Sequence, residues 1–191
     1  MHRHVLFLHG GGGHEDHAAD AELVTELRAA LGDTYEVHAP VLRDESSPDL
    51  GRLGQIHAEL SSLPGATLVV AHSLGASMLL KYLSEAPSRH ELAAVFLLAT
   101  PFWHGDEDWK QGLKLRDDFA TRLPANLAVF LYHCRDDDAV PFEHLARYRQ
   151  QLPEATVREL ARGGHQLDGA VAVVVADLHE VARAHPGRSP R

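Results

Sequence analysis

Short apolar runs alternate with amphipathic segments along the whole of this 191-residue chain, and this alternation limits its architecture more than any other feature. The runs at 4–9, 35–39, 67–71, 92–99, 127–133 and 156–160 read as strands. Segments 18–31, 49–63, 74–85, 142–152 and 168–184 read as helices, punctuated by Gly32, Pro64 and Pro87. Strands with near-continuous apolar character fit a sheet whose two faces are both covered, which is the habit of parallel sheets. Right-handed crossovers then dictate a three-layer α/β/α sandwich of about six mostly parallel strands. No internal repeat or linker interrupts the pattern, so residues 1–184 are expected to form one domain. Segment 101–124, rich in Trp, Phe, Asp and Lys, is expected to be a helical insert or small lid, and 185–191 a frayed tail.

Composition removes several classes of function. The chain is 45% hydrophobic and 24% charged with a formal charge of −9, and no cluster of Lys or Arg stands out. Nucleic acid and anionic membrane surfaces are therefore not expected partners. Apolar stretches such as 92–99 and 170–176 are too short to span a bilayer. Residues 1–10 run from His2, Arg3 and His4 straight into the first strand, so no secretory leader is read. Cys134 is the single cysteine, which rules out an intrachain disulfide and points to a reducing, cytoplasmic setting. It reads as a small hydrophobe near a strand end. Of the fifteen histidines, His14 and His17 stand at helical spacing. A metal needs three or four convergent ligands, and this stretch reads instead as a polar loop entering a helix with Asp16 as its cap. No metal and no cofactor is expected.

In open parallel sheets, ligands gather beyond the carboxyl ends of the strands, and every chemically suggestive motif here lies at such an end. The run LVVAHSLGAS at 68–77 turns a buried strand into a helix around Ser73. Ala71 and Gly75 sit two residues to either side, where the strand and helix backbones pass too closely for large side chains. Ser73 reads equally as a helix N-cap from this run alone. The first strand is followed by His9 and four glycines, Gly10 to Gly13. Such a turn exposes backbone N–H groups to an oxyanion or to a phosphate. It matches neither G-x-G-x-x-G nor the terminal G-K-[ST] of a P-loop, because His14 follows it. Three adjacent acids, Asp136, Asp137 and Asp138, follow the fifth strand, and a Gly-Gly-His-Gln loop bearing His165 follows the last.

The small-x-Ser-x-Gly run resembles the nucleophile elbow of the alpha/beta-hydrolase superfamily, with Ala71 in place of the first glycine. The glycine run resembles the oxyanion loops of esterases and lipases, which implies that the amides of Gly11 and Gly12 act with that of Leu74. In such hydrolases the acid stands four residues before a proline. Here the proline is Pro141, so the register selects Asp137 over Asp136, although Cys134 occupies the usual glycine position. The order Ser73, Asp137, His165 is that of the superfamily. The resemblance implies a trimmed alpha/beta-hydrolase fold lacking the first two strands. In size and layout it is similar to small serine hydrolases of the retinoblastoma-binding-protein type.

The implied activity is hydrolysis of a small carboxylic ester through an acyl-enzyme, with a small-molecule acyl compound as substrate. Serine rather than aspartate at the elbow suits attack on acyl carbon. Phe102, Trp103 and Trp109 either line an acyl pocket or anchor the 101–124 segment. Two alternatives stand beside this reading. One is a thioesterase, amidase or peptidase of the same fold; the other is a non-catalytic binding protein. Nothing in the chain specifies an oligomeric state.

Overall fold

The computed structural model of the chain describes residues 3–11, 14–86 and 90–184, the side chains of 14–16 excepted. The described residues form a six-stranded sheet comprising β1 (Arg3–Leu8), β2 (Tyr35–His38), β3 (Thr67–His72), β4 (Leu92–Leu98), β5 (Ala128–Cys134) and β6 (Thr156–Leu160). Its order is β2-β1-β3-β4-β5-β6 and every pairing is parallel. The two-residue period of a strand divides the core into two layers. From β1, Val5 and Phe7 face one layer, and Leu6 and Leu8 face the other.

Helices close both faces. On the Val5 side lie α2 (Ala21–Leu31) and α7 (Val171–Ala184), which bury Leu23, Leu27, Val174 and Leu178. On the Leu6 side lie α3 (Arg52–Ser62), α4 (Ser73–Glu85) and α6 (Glu143–Gln151), which bury Ile56, Leu60, Leu79 and Tyr148. The Asp177 carboxylate accepts hydrogen bonds from Tyr132 on β5 and Arg158 on β6, which pins α7 across the sheet. Among the described residues no helix is long and apolar enough to cross a membrane.

Three local differences from the sequence expectations have physical causes. The expected helix at 18–31 is two helices, α1 (His14–Ala19) and α2, separated at Asp20. The Asp20 carboxylate accepts the Gly10 N–H at 2.8 Å, so the chain breaks where this buried acid turns toward the end of β1. The last helix starts at Val171 rather than 168, because Leu167 and Gly169 adopt positive φ of 56° and 69°. Segment 101–124 contains a single turn at Asp108–Lys110 and a short helix α5 (Phe119–Arg122). It lies against α4, where Trp103 donates to Ser77 Oγ at 3.0 Å and Lys81 donates to the Lys114 carbonyl.

The strand order reverses direction between β1 and β3. The chain leaving β1 goes to one side and the chain leaving β3 to the other, so a crevice opens where their carboxyl ends diverge. Helix α4 crosses β1 here with almost no clearance: a Cβ on Gly75 would lie under 3.0 Å from the backbone carbonyl oxygens of Leu8 and His9. Backbone cannot yield as a side chain does. Gly75→Val is expected to lower stability by about 2–3 kcal/mol, read as a lower urea midpoint with unchanged m-value; an unchanged midpoint would refute the close approach.

Candidate active site

At the β3–α4 junction the backbone turns within one residue. His72 is extended (φ −111°, ψ 139°), and Ser73 adopts the left-handed region at φ 49°. For a residue with a Cβ this conformation costs about 1–2 kcal/mol, and the packed strand and helix on either side hold it in place. The hydroxyl is thereby carried off the end of β3 instead of folding back to cap α4. It donates to His165 Nε2 at 3.1 Å. His165 Nδ1 lies 3.0 and 3.1 Å from the two carboxylate oxygens of Asp137. Of the three candidate acids, Asp137 makes this contact, and so Ser73, His165 and Asp137 form one continuous hydrogen-bonded chain.

The Asp137 side chain is fully buried (0% exposed). Burial alone would raise its pKa, but hydrogen bonds from His133, His165 and the Val140 amide together outweigh burial and hold the carboxyl well below the usual carboxylate range. The Ala139 and Val140 amides donate to Oδ1 at 2.9 and 2.8 Å, and His133 Nε2 stands 3.3 Å from Oδ2. A carboxylate kept ionised at this point fixes the tautomer of His165: Nδ1 carries the hydrogen and Nε2 is left to accept from Ser73.

Asp136 has a separate task. Its carboxylate accepts from the Gly163 and Gly164 amides at 3.3 and 2.9 Å, tying the loop that bears His165 to the turn that bears Asp137. Gly163 and Gly164 take positive φ of 135° and 59°, a conformation that side chains resist. Cys134 is buried behind this loop, and its thiol is pushed up to about 11 by burial and by the charges of Asp136, Asp137 and Asp168. It is therefore an inert packing group.

A second buried acid and imidazole support the site from behind, and neither was singled out from the sequence. His72 is 1% exposed and Asp20 is 2% exposed. Asp20 meets His72 Nδ1 at 2.9 Å, while His72 Nε2 meets the backbone carbonyl of His165 at 2.9 Å. Each ring nitrogen thus faces an oxygen acceptor. Asp20 also binds the Gly10 amide. One carboxylate therefore connects the turn after β1, the residue before Ser73 and the loop of His165. Burial would raise its pKa, yet the hydrogen bonds and charge of His72 and the Gly10 amide bring it below the ordinary value. A histidine at the buried end of a strand was the available signal. Its partner, 52 residues away, had none.

The turn after β1 is held on three sides. His9 is buried; its Nδ1 donates to the Gly10 carbonyl and its Nε2 accepts from the Leu42 amide. Burial and the nearby charge of Arg52 lower its pKa. Arg52, 0% exposed and paired with Asp44 at 3.0 Å, also reaches the Gly10 carbonyl. Gly11 is half-buried beyond this anchor, and Gly12 lies outside the described residues. Leu74, in the first turn of α4, has an amide with no carbonyl one turn before it in the helix.

Phe102 and Trp103 are partly buried and packed against the core. The Phe102 ring meets Tyr148 edge-on, while Trp103 meets Trp109 edge-on. Trp109 is 62% exposed with Lys110 over its ring. Phe102 and Trp103 thus pack the 101–124 segment against the core. A hollow of about 490 Å³ lined by Leu123, Leu127 and Leu152 precedes β5 and β6, at the end of the sheet opposite to Ser73.

Fold and site together define an α/β hydrolase, and solved structures agree on the fold. The ydeN gene product of B. subtilis is 21% identical, with 95% of this chain and 99% of that one aligned at TM-score 0.68. The esterase domain of a Rhodothermus marinus protein is 21% identical over 95% and 86% at TM-score 0.67. A thioesterase domain from the curacin biosynthetic pathway is 16% identical over 94% and 91% at TM-score 0.68. No protein of curated function matches the sequence. The family model described as Serine hydrolase matches residues 28–170, well over half of the chain and inclusive of Ser73, Asp137 and His165. The chain belongs to this family.

Replacing Asp20 by alanine leaves a buried ring and a buried amide without their acceptor. The expected cost near neutral pH is about 3–5 kcal/mol, measured by urea unfolding. Because the native Asp20 carboxyl titrates below its ordinary value of 3.8, its contribution is complete above that value and is lost as pH falls through the lower native one. The gap between variant and wild type should therefore narrow in acid. A gap that is absent at neutrality, or that widens in acid, would contradict the assignment.

Proposed function

We propose that this serine hydrolase cleaves small carboxylic esters through an acyl-enzyme, with Ser73 as nucleophile, His165 as general base and acid, and Asp137 as the carboxylate that orients the imidazole. One observation carries the reading: an unbroken hydrogen-bonded chain from a buried, ionised carboxylate through an imidazole to a serine whose backbone is held in a strained turn.

In the proposed reaction Ser73 Oγ attacks the acyl carbon while its proton passes to His165 Nε2. The imidazolium so formed is stabilised by Asp137. Negative charge on the former carbonyl oxygen is met by the amides of Leu74 and Gly11, with Gly12 as a further donor. His165 then returns the proton to the departing alkoxide, the alcohol leaves, and Ser73 carries the acyl group. A water molecule, deprotonated by the same imidazole, repeats the attack and frees the carboxylic acid and Ser73. No metal or cofactor takes part in this scheme.

A short acyl group is supported by the use of the 101–124 segment, whose Trp103 and Phe119 are spent on packing against α4 and its neighbours. On this reading Phe102 and Trp103 serve chiefly to seat the segment, and exposed Trp109 is the member that would meet a substrate. The likeness in fold to a thioesterase domain supports thioesters as the second class, and amides and peptides share the same acyl chemistry. An intact hydrogen-bonded chain argues against a purely binding role. The trimmed sheet supports a kinship with small hydrolases of the retinoblastoma-binding-protein type. The single, buried thiol suits a cytoplasmic protein.

The test is turnover of p-nitrophenyl acetate, with acetyl thioesters and aminoacyl amides as a panel. Ser73→Ala is expected to lower kcat by about 10⁴-fold or more, and Asp137→Asn by about 10⁴-fold, each with an unchanged circular dichroism spectrum. Wild-type turnover in folded Ser73→Ala would overturn the proposal.

A further inference from the structure

The outer edge of the sheet carries a polar group that the hydrolase reading does not use. Strand β2 has four residues and, among the described residues, pairs only with β1, in the register His4↔Glu36 and Leu6↔His38. Parallel pairing with a two-residue period puts His4, Glu36 and His38 on the same face, the one that carries Leu6 inward. There the His4 Nδ1 and His38 Nε2 atoms stand 3.0 Å apart. The Glu36 carboxylate approaches from the third side, with Oε2 at 3.6 Å from His4 Nδ1 and Oε1 at 3.7 Å from His38 Nε2. The rings are tilted by 32° at a centroid distance of 5.3 Å.

Hydrogen bonding accounts poorly for this arrangement. Two facing ring nitrogens share one hydrogen at most in the neutral state, and a carboxylate at 3.6–3.7 Å is beyond good hydrogen-bond distance from both. A cation would use all three side chains. A tetrahedral zinc site with bonds of about 2.0–2.2 Å holds its donors roughly 3.3 Å from one another; the two ring nitrogens stand 3.0 Å apart, each with one of the two Glu36 oxygens nearby at 3.6 or 3.7 Å, and one ligand atom from each residue lies within 4.8 Å of the others. Two imidazoles and one carboxylate make a donor set suited to zinc and neighbouring divalent transition ions rather than to calcium or magnesium. Side-chain exposures of 20%, 55% and 30% for His4, Glu36 and His38 give an ion access from solvent.

We propose that His4, Glu36 and His38 form a binding site for a divalent transition cation of the zinc type, with water completing its coordination. The cation joins edge strand β2 to β1 by side-chain ligation, in addition to the backbone ladder. The site is built on β1 and β2, whereas Ser73 opens α4 beyond the end of β3. Its role is therefore structural, and the inference stands independently of the ester-hydrolase reading.

Zinc binding by untagged, metal-stripped protein, measured by competition with a chromophoric chelator, tests the proposal. Wild type is expected to bind one equivalent of Zn²⁺ more tightly than the rest and to gain thermal stability from it. Removing a ligand costs at least the about 10–100-fold typical of lost supporting contacts. His4→Gln, His38→Gln and Glu36→Gln should each weaken that equivalent by about tenfold or more and abolish the Tm rise. Exposed His104→Gln should change neither, and ester hydrolysis should persist in all four. Glu36 is more than half exposed, so its variant keeps the fold if the histidine variants do not. Unchanged zinc affinity in Glu36→Gln, or equal loss in His104→Gln, would overturn the site.

Discussion

Everything chemical in this molecule depends on the crowding between α4 and the end of β1. Helix α4 passes so close to the Leu8 and His9 carbonyls that only glycine fits at position 75. That contact fixes where the helix begins and leaves one residue to turn the chain out of β3. Ser73 takes the left-handed conformation because the packed elements on both sides leave no relaxed alternative. A strained serine at this point is thus a consequence of core packing, not an isolated feature of a loop. The hydrophobic layers on the two faces of the sheet supply the force that holds the strain in place.

Buried charge does the rest of the ordering. Asp137 and Asp20 are both removed from water, and each is compensated by donors from separate parts of the chain. Asp137 orients the His165 ring, and Asp20 acts through His72 on the His165 backbone. The imidazole beside Ser73 is therefore braced at its side chain and at its main chain by two different carboxylates. Asp136 adds a third restraint through the glycine amides of the same loop. In an interior of low polarity such contacts are strong if complete and costly if broken, which makes the site and the fold stand or fall together. At the far edge of the sheet, side chains from β1 and β2 converge in a different way, and there the natural complement is a cation.

The sequence conveyed those features that depend on neighbours in the chain and missed those that depend on neighbours in space. The junction at Ser73 was legible because an apolar run, a small residue on each side of the serine and a following helical pattern all lie within ten positions. Asp137 and His165 were legible because their loops follow strands and carry turn residues. The break at Asp20 was not, since the residues around it continue a helical pattern and only contact with Gly10 interrupts it. Asp136 looked like one acid among three until its glycine partners arrived from 27 and 28 residues away. The His4, Glu36 and His38 group was hidden for the same reason, since two strands must first align in register.

The account stands or falls on Ser73 being the one hydroxyl that the His165 imidazole makes nucleophilic. Labelling the protein with a fluorophosphonate and locating the adduct by peptide mass spectrometry addresses this directly. A single adduct on Ser73, formed quickly in wild type and hardly at all in His165→Ala, is the predicted result. An adduct on another residue, or equal labelling of Ser73 without the imidazole, would contradict it.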